Sequence, residues 1–295
     1  MTARTAFVPL LAAALAASAC SSAPSLPRKP DGAAVLEVRG DIEGDARSLG
    51  SKDLARLPQR SVRGTDPATG RTASWSGVDL HALAERVRKK PGVDTLVVRT
   101  ADGAAAPMSF AVLRQLRPVL AAVADGEPLT ETVVAWPTQE QPGLQRDPRL
   151  AGWWAVKPVA LEFVRWPRAF GSRLAAPAGA PEGARPGSGL FVQRCVVCHT
   201  VRGAGGARGP ELTAWASSHD EEALKARLAK HPGRTVDDVD SDLIPPLYTY
   251  LSSIAKAPPF SEEGPGERPP GERREGEHET PPPGAAPPGT KPGGH

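Results

Sequence analysis

The segment Cys195-Val196-Val197-Cys198-His199 constrains this chain more than any other, because it sets two thiols and an imidazole side by side. The 295 residues include only three cysteines, and the third is Cys20. Two cysteines this close together build no disulfide framework, so the fold around them has to come from a hydrophobic core. In an oxidising compartment such a pair is not left idle unless some chemistry uses it. The reading therefore turns on where the chain is delivered and what surrounds the pair.

Arg4 is followed by an apolar, alanine-rich run from Ala6 to Ala19 that ends at Cys20. The run is short for a bilayer crossing and fits the core of an export signal. Ala17-Ser18-Ala19-Cys20 resembles a bacterial lipoprotein cleavage box. The expectation is a signal peptide over 1–20, a lipid anchor on Cys20 and a Ser/Pro-rich tether over 21–32. That would place the chain on the periplasmic side of a membrane in a bacterial cell envelope. The plainer alternative is a secreted protein cut near Ala19. The net charge is only +3, with no dense Lys/Arg block, so no nucleic-acid partner is expected.

Residues 33–167 read as one α+β unit. Val35 to Gly40 alternates like a strand, and Leu49 to Leu57 reads as a short helix or turn. Val78 to Val87 has helical spacing, and Thr95 to Thr100 is rich in β-branched residues. Phe110 to Leu116 reads as a helix. Strands are expected at Val119 to Ala124 and Val133 to Ala135, around the Asp125-Gly126 turn, and again within Trp153 to Val164. Residues 168–186 are Ala/Pro/Gly-rich and aperiodic, as in a linker. Residues 187–257 read as a small all-α unit, with helices at Gly189 to Arg194, at Asp220 to Lys230, and from Pro245 onward. Residues 258–295 carry almost no apolar side chain and read as a disordered tail.

The spacing Cys-x-x-Cys-His is that of covalent haem attachment. Each thiol adds to a haem vinyl group, and the histidine ligates the iron. A zinc site would need about four ligands, and this segment supplies three. A thioredoxin-like pair would follow a βαβ pattern, whereas the flanks here are helical and glycine-rich.

On these residues the second unit resembles the class I cytochrome c family. Phe191 to His199 is similar to the family's first helix. Gly209-Pro210-Glu211-Leu212 is similar to its Gly-Pro-x-Leu segment, and Leu247 to Ile254, with Tyr250-Leu251, is similar to its terminal helix. The resemblance implies one covalent haem c held by Cys195, Cys198 and His199. It also implies that the Pro210 carbonyl accepts a hydrogen bond from His199, which fixes the ring. The family's distal methionine is replaced by Ile244 in Asp242-Leu243-Ile244-Pro245-Pro246, and the only methionine beyond Met1 is Met108. His231 is the preferred sixth ligand. His219, an open site and Met108 are the alternatives.

The first unit resembles the molybdopterin-binding domain of sulfite-oxidase-type oxidoreductases. The resembling segments are Leu54-Ala55-Arg56-Leu57-Pro58, Trp75-Ser76-Gly77-Val78-Asp79-Leu80, Ala101-Asp102-Gly103, Asp125-Gly126-Glu127-Pro128-Leu129 and Trp153-Trp154-Ala155-Val156-Lys157. The metal-holding cysteine of that family would fall between Ser61 and Trp75, where this chain has none. Molybdopterin is therefore not expected, and the unit reads as a noncatalytic docking or scaffolding module. Trp75, Trp136, Trp153 and Trp154 read as core or interface residues. The expected function is single-electron transfer between periplasmic or membrane redox proteins. The rivals are a molybdenum- or haem-dependent oxidoreductase and a haem-based sensor with an open distal site.

Overall fold

The structure, a computed structural model, describes residues 25–231 and 241–261. The expected signal segment, Cys20 and residues 262–295 of the expected tail lie outside the described residues.

The first unit runs through β1 (Ala34–Gly40), β2 (Arg47–Gly50), α1 (Ser51–Arg56), β3 (Gln59–Thr65), β4 (Thr72–Asp79), α2 (Leu80–Glu85), β5 (Thr95–Thr100) and β6 (Ala105–Ser109). It continues with α3 (Phe110–Leu116), β7 (Val119–Ala124), β8 (Glu127–Ala135), α4 (Leu150–Trp153) and β9 (Pro158–Val164). The strands form a five-stranded sheet of order β2-β1-β9-β5-β6 and a four-stranded sheet of order β3-β4-β7-β8. β1 and β9 pair in parallel, and every other neighbouring pair in the two sheets is antiparallel. The unit is α+β, as its sequence indicates.

The two sheets enclose a core rich in tryptophan. Trp136 is fully buried, stacks on Trp153 with ring centroids 4.9 Å apart, and donates its indole N–H to the Trp153 carbonyl at 2.9 Å. Trp153 in turn donates to the Pro107 carbonyl at 2.9 Å, and Trp75 donates to that of Gly64 at 2.9 Å. Trp75 meets Trp154 edge-on at 5.5 Å. All four tryptophans are buried, with their indole bodies in apolar surroundings and these N–H groups paired, as large amphipathic rings require.

β3 and β4 do not stand out in the sequence. Their inward positions include Gly64, Ala73 and Gly77, which carry little hydropathy. Small residues are needed there because the neighbouring chain comes very close. A Cβ on Gly64 would lie 2.1 Å from the Trp136 carbonyl oxygen, and one on Gly77 would lie 1.9 Å from that of Leu120.

Three expectations are corrected and a fourth is narrowed. Leu49 to Leu57, expected as a short helix or turn, does contain the short helix α1, but Leu49 and Gly50 belong to the end of β2. Trp153 ends a helical turn, and the closing strand starts only at Pro158. Part of the expected tether is packed on the first unit: Leu26 is buried in the core, and the Asp31 amide donates to the Asp53 carboxylate at 2.7 Å. The expected linker over 168–186 contains a π-turn (Pro167–Gly171) and α5 (Ser172–Leu174). Both lie within the second unit's core through Phe170 and Leu174. Two apolar side chains among many Ala, Pro and Gly leave no period to read.

The second unit has α6 (Ala184–Arg194), the small hairpin β10 (Thr200–Val201) and β11 (Ala204–Gly205), α7 (Glu221–Ala229) and α8 (Ile244–Lys256). α6 and α8 form its frame. Phe191 and Tyr250 meet between them at 5.8 Å, and the Tyr250 hydroxyl donates to the Leu174 carbonyl at 2.9 Å. Burial pushes the Tyr250 hydroxyl well above the usual phenol range. Gly187 is the closest point of approach: a Cβ there would lie 1.9 Å from the Pro246 carbonyl oxygen and 2.7 Å from Tyr250 Cβ.

The units share a buried surface. In β5, Leu96 and Val98 face the first unit's core, while Val97 belongs to the second unit's core together with Ala105 of β6. Alternate residues of a strand point to opposite faces, so this apolar run is buried on both sides.

Gly187→Ala should lower stability by about 1–3 kcal/mol through overpacking, despite alanine's better helix propensity. Gly189→Ala, two residues on in the same helix and with nothing within 4 Å of the added carbon, should be neutral or stabilising by up to about 1 kcal/mol. Chemical denaturation of the two variants separates the outcomes. Equal behaviour would contradict the close α6–α8 contact.

Candidate haem site

α6 delivers the first thiol. Its last turn closes with the Cys195 amide donating to the Phe191 carbonyl at 2.8 Å, and the chain then coils so that Cys198 and His199 both donate to the Cys195 carbonyl, at 3.0 and 2.9 Å. This tight turn brings Cys195, Cys198 and His199 onto one wall of a cavity of about 900 Å³. Both cysteines are half-buried thiols. The hairpin β10–β11 reverses the chain, and Gly209 N–H donates to the Cys198 carbonyl at 2.7 Å, which sets Pro210 beside the histidine.

His199 Nδ1 lies 2.9 Å from the Pro210 carbonyl oxygen. A carbonyl only accepts, so Nδ1 carries the proton and Nε2 presents a lone pair to the cavity. Burial lowers the pKa of His199, the Pro210 carbonyl opposes that shift, and His231 adds to it. The net direction favours the neutral imidazole, which is the ligating form. Gly209 lies against the ring: a Cβ there would sit 2.4 Å from His199 Cε1. Sequence reasoning finds Pro210 but gives Gly209 no separate role, since its function is visible only as the absence of a side chain beside the ring.

His231 closes the opposite side. It follows α7, and its amide donates to the Leu228 carbonyl at 3.2 Å. Its Nε2 lies 3.5 Å from His199 Nε2, with ring centroids 5.8 Å apart. His219 also lines the cavity, but its ring stacks on Trp215 at 4.5 Å, and its Nδ1 is within 3.0 Å of both the Trp215 carbonyl and the Ser218 hydroxyl. Met108 is 1 % exposed in the first unit's core and does not line the cavity, so it is ruled out as a ligand in this arrangement. Ile244 is buried at the start of α8.

The remaining walls are apolar, with Phe191, Leu212, Leu224, Leu228, Leu247 and Leu251, while Arg194, Arg227 and Lys230 add positive charge. The residues fit a haem. The volume lies within the range of about 300–1,000 Å³ usual for cofactor pockets. Two thiols and a neutral imidazole project from one wall, and a second imidazole faces the first. The two Nε2 atoms lie 3.5 Å apart, so both rings present a nitrogen to the same part of the cavity.

Residues 184–249 match the protein-family model described as Cytochrome c. No curated protein matches the chain. Among solved structures, it is similar to the sulfane dehydrogenase SoxCD from Paracoccus pantotrophus, at 17% identity and a TM-score of 0.34. That likeness covers 44% of this chain and 38% of that one, and carries no functional argument. The C-terminal region is thus a cytochrome c domain that follows a mixed α/β region, and its family carries haem c covalently for electron transfer.

Gly209→Ala should push the His199 ring off the Pro210 carbonyl and lower the haem-to-protein ratio of the matured chain at least two-fold. Absorbance of the purified protein at the haem and protein bands measures it. A ratio equal to the unsubstituted chain's would contradict the role given to Gly209.

Proposed function

We propose that the chain is an exported mono-haem c-type cytochrome that carries single electrons between membrane-associated or periplasmic redox partners. A lipid on Cys20 would hold it to the periplasmic side of a bacterial envelope membrane. The reading is carried by one observation: the thiols of Cys195 and Cys198 share a wall with a histidine that Pro210 fixes in its ligating tautomer, and this wall faces His231 across an apolar cavity.

When bound there, haem supplies an iron that takes up and gives back one electron. This chain's residues do the rest. Cys195 and Cys198 would tie the group down and His199 would bind the iron. Pro210 holds His199 in orientation, and the leucines exclude water. His231, whose Nε2 faces that of His199, would also bind the iron, whereas the hydrogen bonds and the Trp215 stack of His219 tie that ring to the wall. Two imidazole ligands give a lower reduction potential than imidazole with a thioether.

The first unit is assigned a noncatalytic role. Trp75, Trp136, Trp153 and Trp154 are occupied in packing, and the stretch from Ser61 to Trp75 offers no cysteine to a metal. Molybdopterin chemistry therefore has no thiolate to use there.

The optical spectrum of the matured protein tests this reading. A low-spin, six-coordinate spectrum that carbon monoxide leaves unchanged is expected. His231→Ala should convert it to a form that binds carbon monoxide. A native protein that already binds carbon monoxide would remove His231 as a ligand and favour an oxidoreductase or a sensor with an open distal site.

A further inference from the structure

The haem-attachment loop is held from outside by the first unit. The Ala105 amide, at the start of β6, donates to the Val197 carbonyl at 2.9 Å, and the Ala207 amide donates to the Gly103 carbonyl at 2.7 Å. Arg99 of β5, paired with Glu162 at 2.8 Å, also donates to the Gly205 carbonyl at 3.3 Å. Val196 is buried, and Val197 packs on both cores. Gly152 and Gly206 allow this fit: a Cβ on Gly152 would lie 2.7 Å from Val197 Cγ2, and one on Gly206 would lie 1.8 Å from the Val197 carbonyl oxygen.

One charged pair crosses the same contact. Arg208, in the second unit, forms an ion pair with Asp102 in the turn between β5 and β6. Its guanidinium also lies 3.8 Å from Cys198 Sγ, one of the two sulfurs that would join the haem. Asp102 is itself fixed. Burial raises its pKa, but the Thr100 hydroxyl, Arg208 and the Ala104 amide outweigh that and hold the carboxyl below its usual range.

We propose that Arg208 sets the haem's reduction potential through its charge beside Cys198, and that Asp102 of the first unit is the positioning residue that holds and partly offsets that charge. The inference rests on haem attachment at Cys198. It gives the first unit a function beyond docking: its β5–β6 turn controls an electron carrier's potential across a domain boundary. The physics is Coulombic. Reduction adds an electron, so a nearby cation stabilises the reduced form and raises the potential, while a nearby anion lowers it. The Arg208 and Asp102 side chains are 44% and 53% exposed, so salt screens the effect and the shifts shrink as ionic strength rises.

Spectroelectrochemical titration of the full-length haem-loaded chain tests the proposal at low and high salt. Arg208→Gln should shift the potential negative, and Asp102→Asn should shift it positive. Arg208→Lys, which keeps the charge, should return the potential most of the way to that of the unsubstituted chain. Arg56→Gln, which breaks an exposed pair with Asp31 away from the cavity, is the control and should leave it unchanged. If Arg208→Gln takes up no haem, Asp102→Asn decides alone. Shifts of the same sign in the Arg208→Gln and Asp102→Asn variants, a zero or negative shift in Asp102→Asn, or shifts insensitive to salt would overturn the proposal. An unsubstituted chain without covalent haem would instead sink the reading on which it rests.

Discussion

The hydrogen bond from the Ala105 amide to the Val197 carbonyl joins a sheet to a cofactor loop, and much of the molecule depends on that junction. β6 is the edge strand of the five-stranded sheet, and its outer side would otherwise offer unpaired groups to solvent or to another chain. The attachment loop covers part of that edge. Beside it, Val97 and Ala105 turn away from the first core and into the second. The sheet is therefore packed on both faces, and each unit completes the other's core. Moving the thiol-bearing turn means breaking backbone bonds to the first unit and exposing Val196. The position of the sulfurs is thus set by two units rather than one.

His199 shows the same logic on a smaller scale. Its ring is held by one acceptor, the Pro210 carbonyl, and one vacancy, the missing side chain of Gly209. The bond fixes the tautomer, and the vacancy fixes how close the backbone comes. Burial then lowers the pKa of His199 and so favours the neutral ring. Each is a local consequence of the turn Gly209-Pro210, which is in place because the hairpin β10–β11 brings the chain back beside Cys198.

How much of this was legible follows from where each signal resides. Cys195, Cys198 and His199 lie in one continuous segment, so spacing alone brought them together, while Pro210 was reached through the resemblance of Gly209-Pro210-Glu211-Leu212 to the cytochrome c family; the structure places all four on one cavity. His231 was legible as a histidine at the end of a helix with apolar spacing, and α7 does carry it to face His199. The strand β5 was legible from its β-branched run, but its second buried face was not, because an apolar run reads alike whichever core covers it. β3 and β4 were missed because glycine and alanine occupy inward positions where the close approach of Trp136 and Leu120 leaves no room for a side chain. Phe170 and Leu174 hid inside a Pro/Gly-rich stretch, and Leu26 inside the expected tether. The pair Asp102–Arg208 could not be read at all, since nothing in either local sequence points to the other.

The central claim is that Cys195 and Cys198 carry one haem covalently. Mass spectrometry of the denatured, matured chain measures this most directly. The account predicts an added mass of one haem that survives denaturation and extraction with acidified organic solvent, and that is lost when both cysteines are replaced by alanine. A chain whose mass matches the polypeptide alone at residues 184–249, made in a host that matures c-type cytochromes, would contradict it.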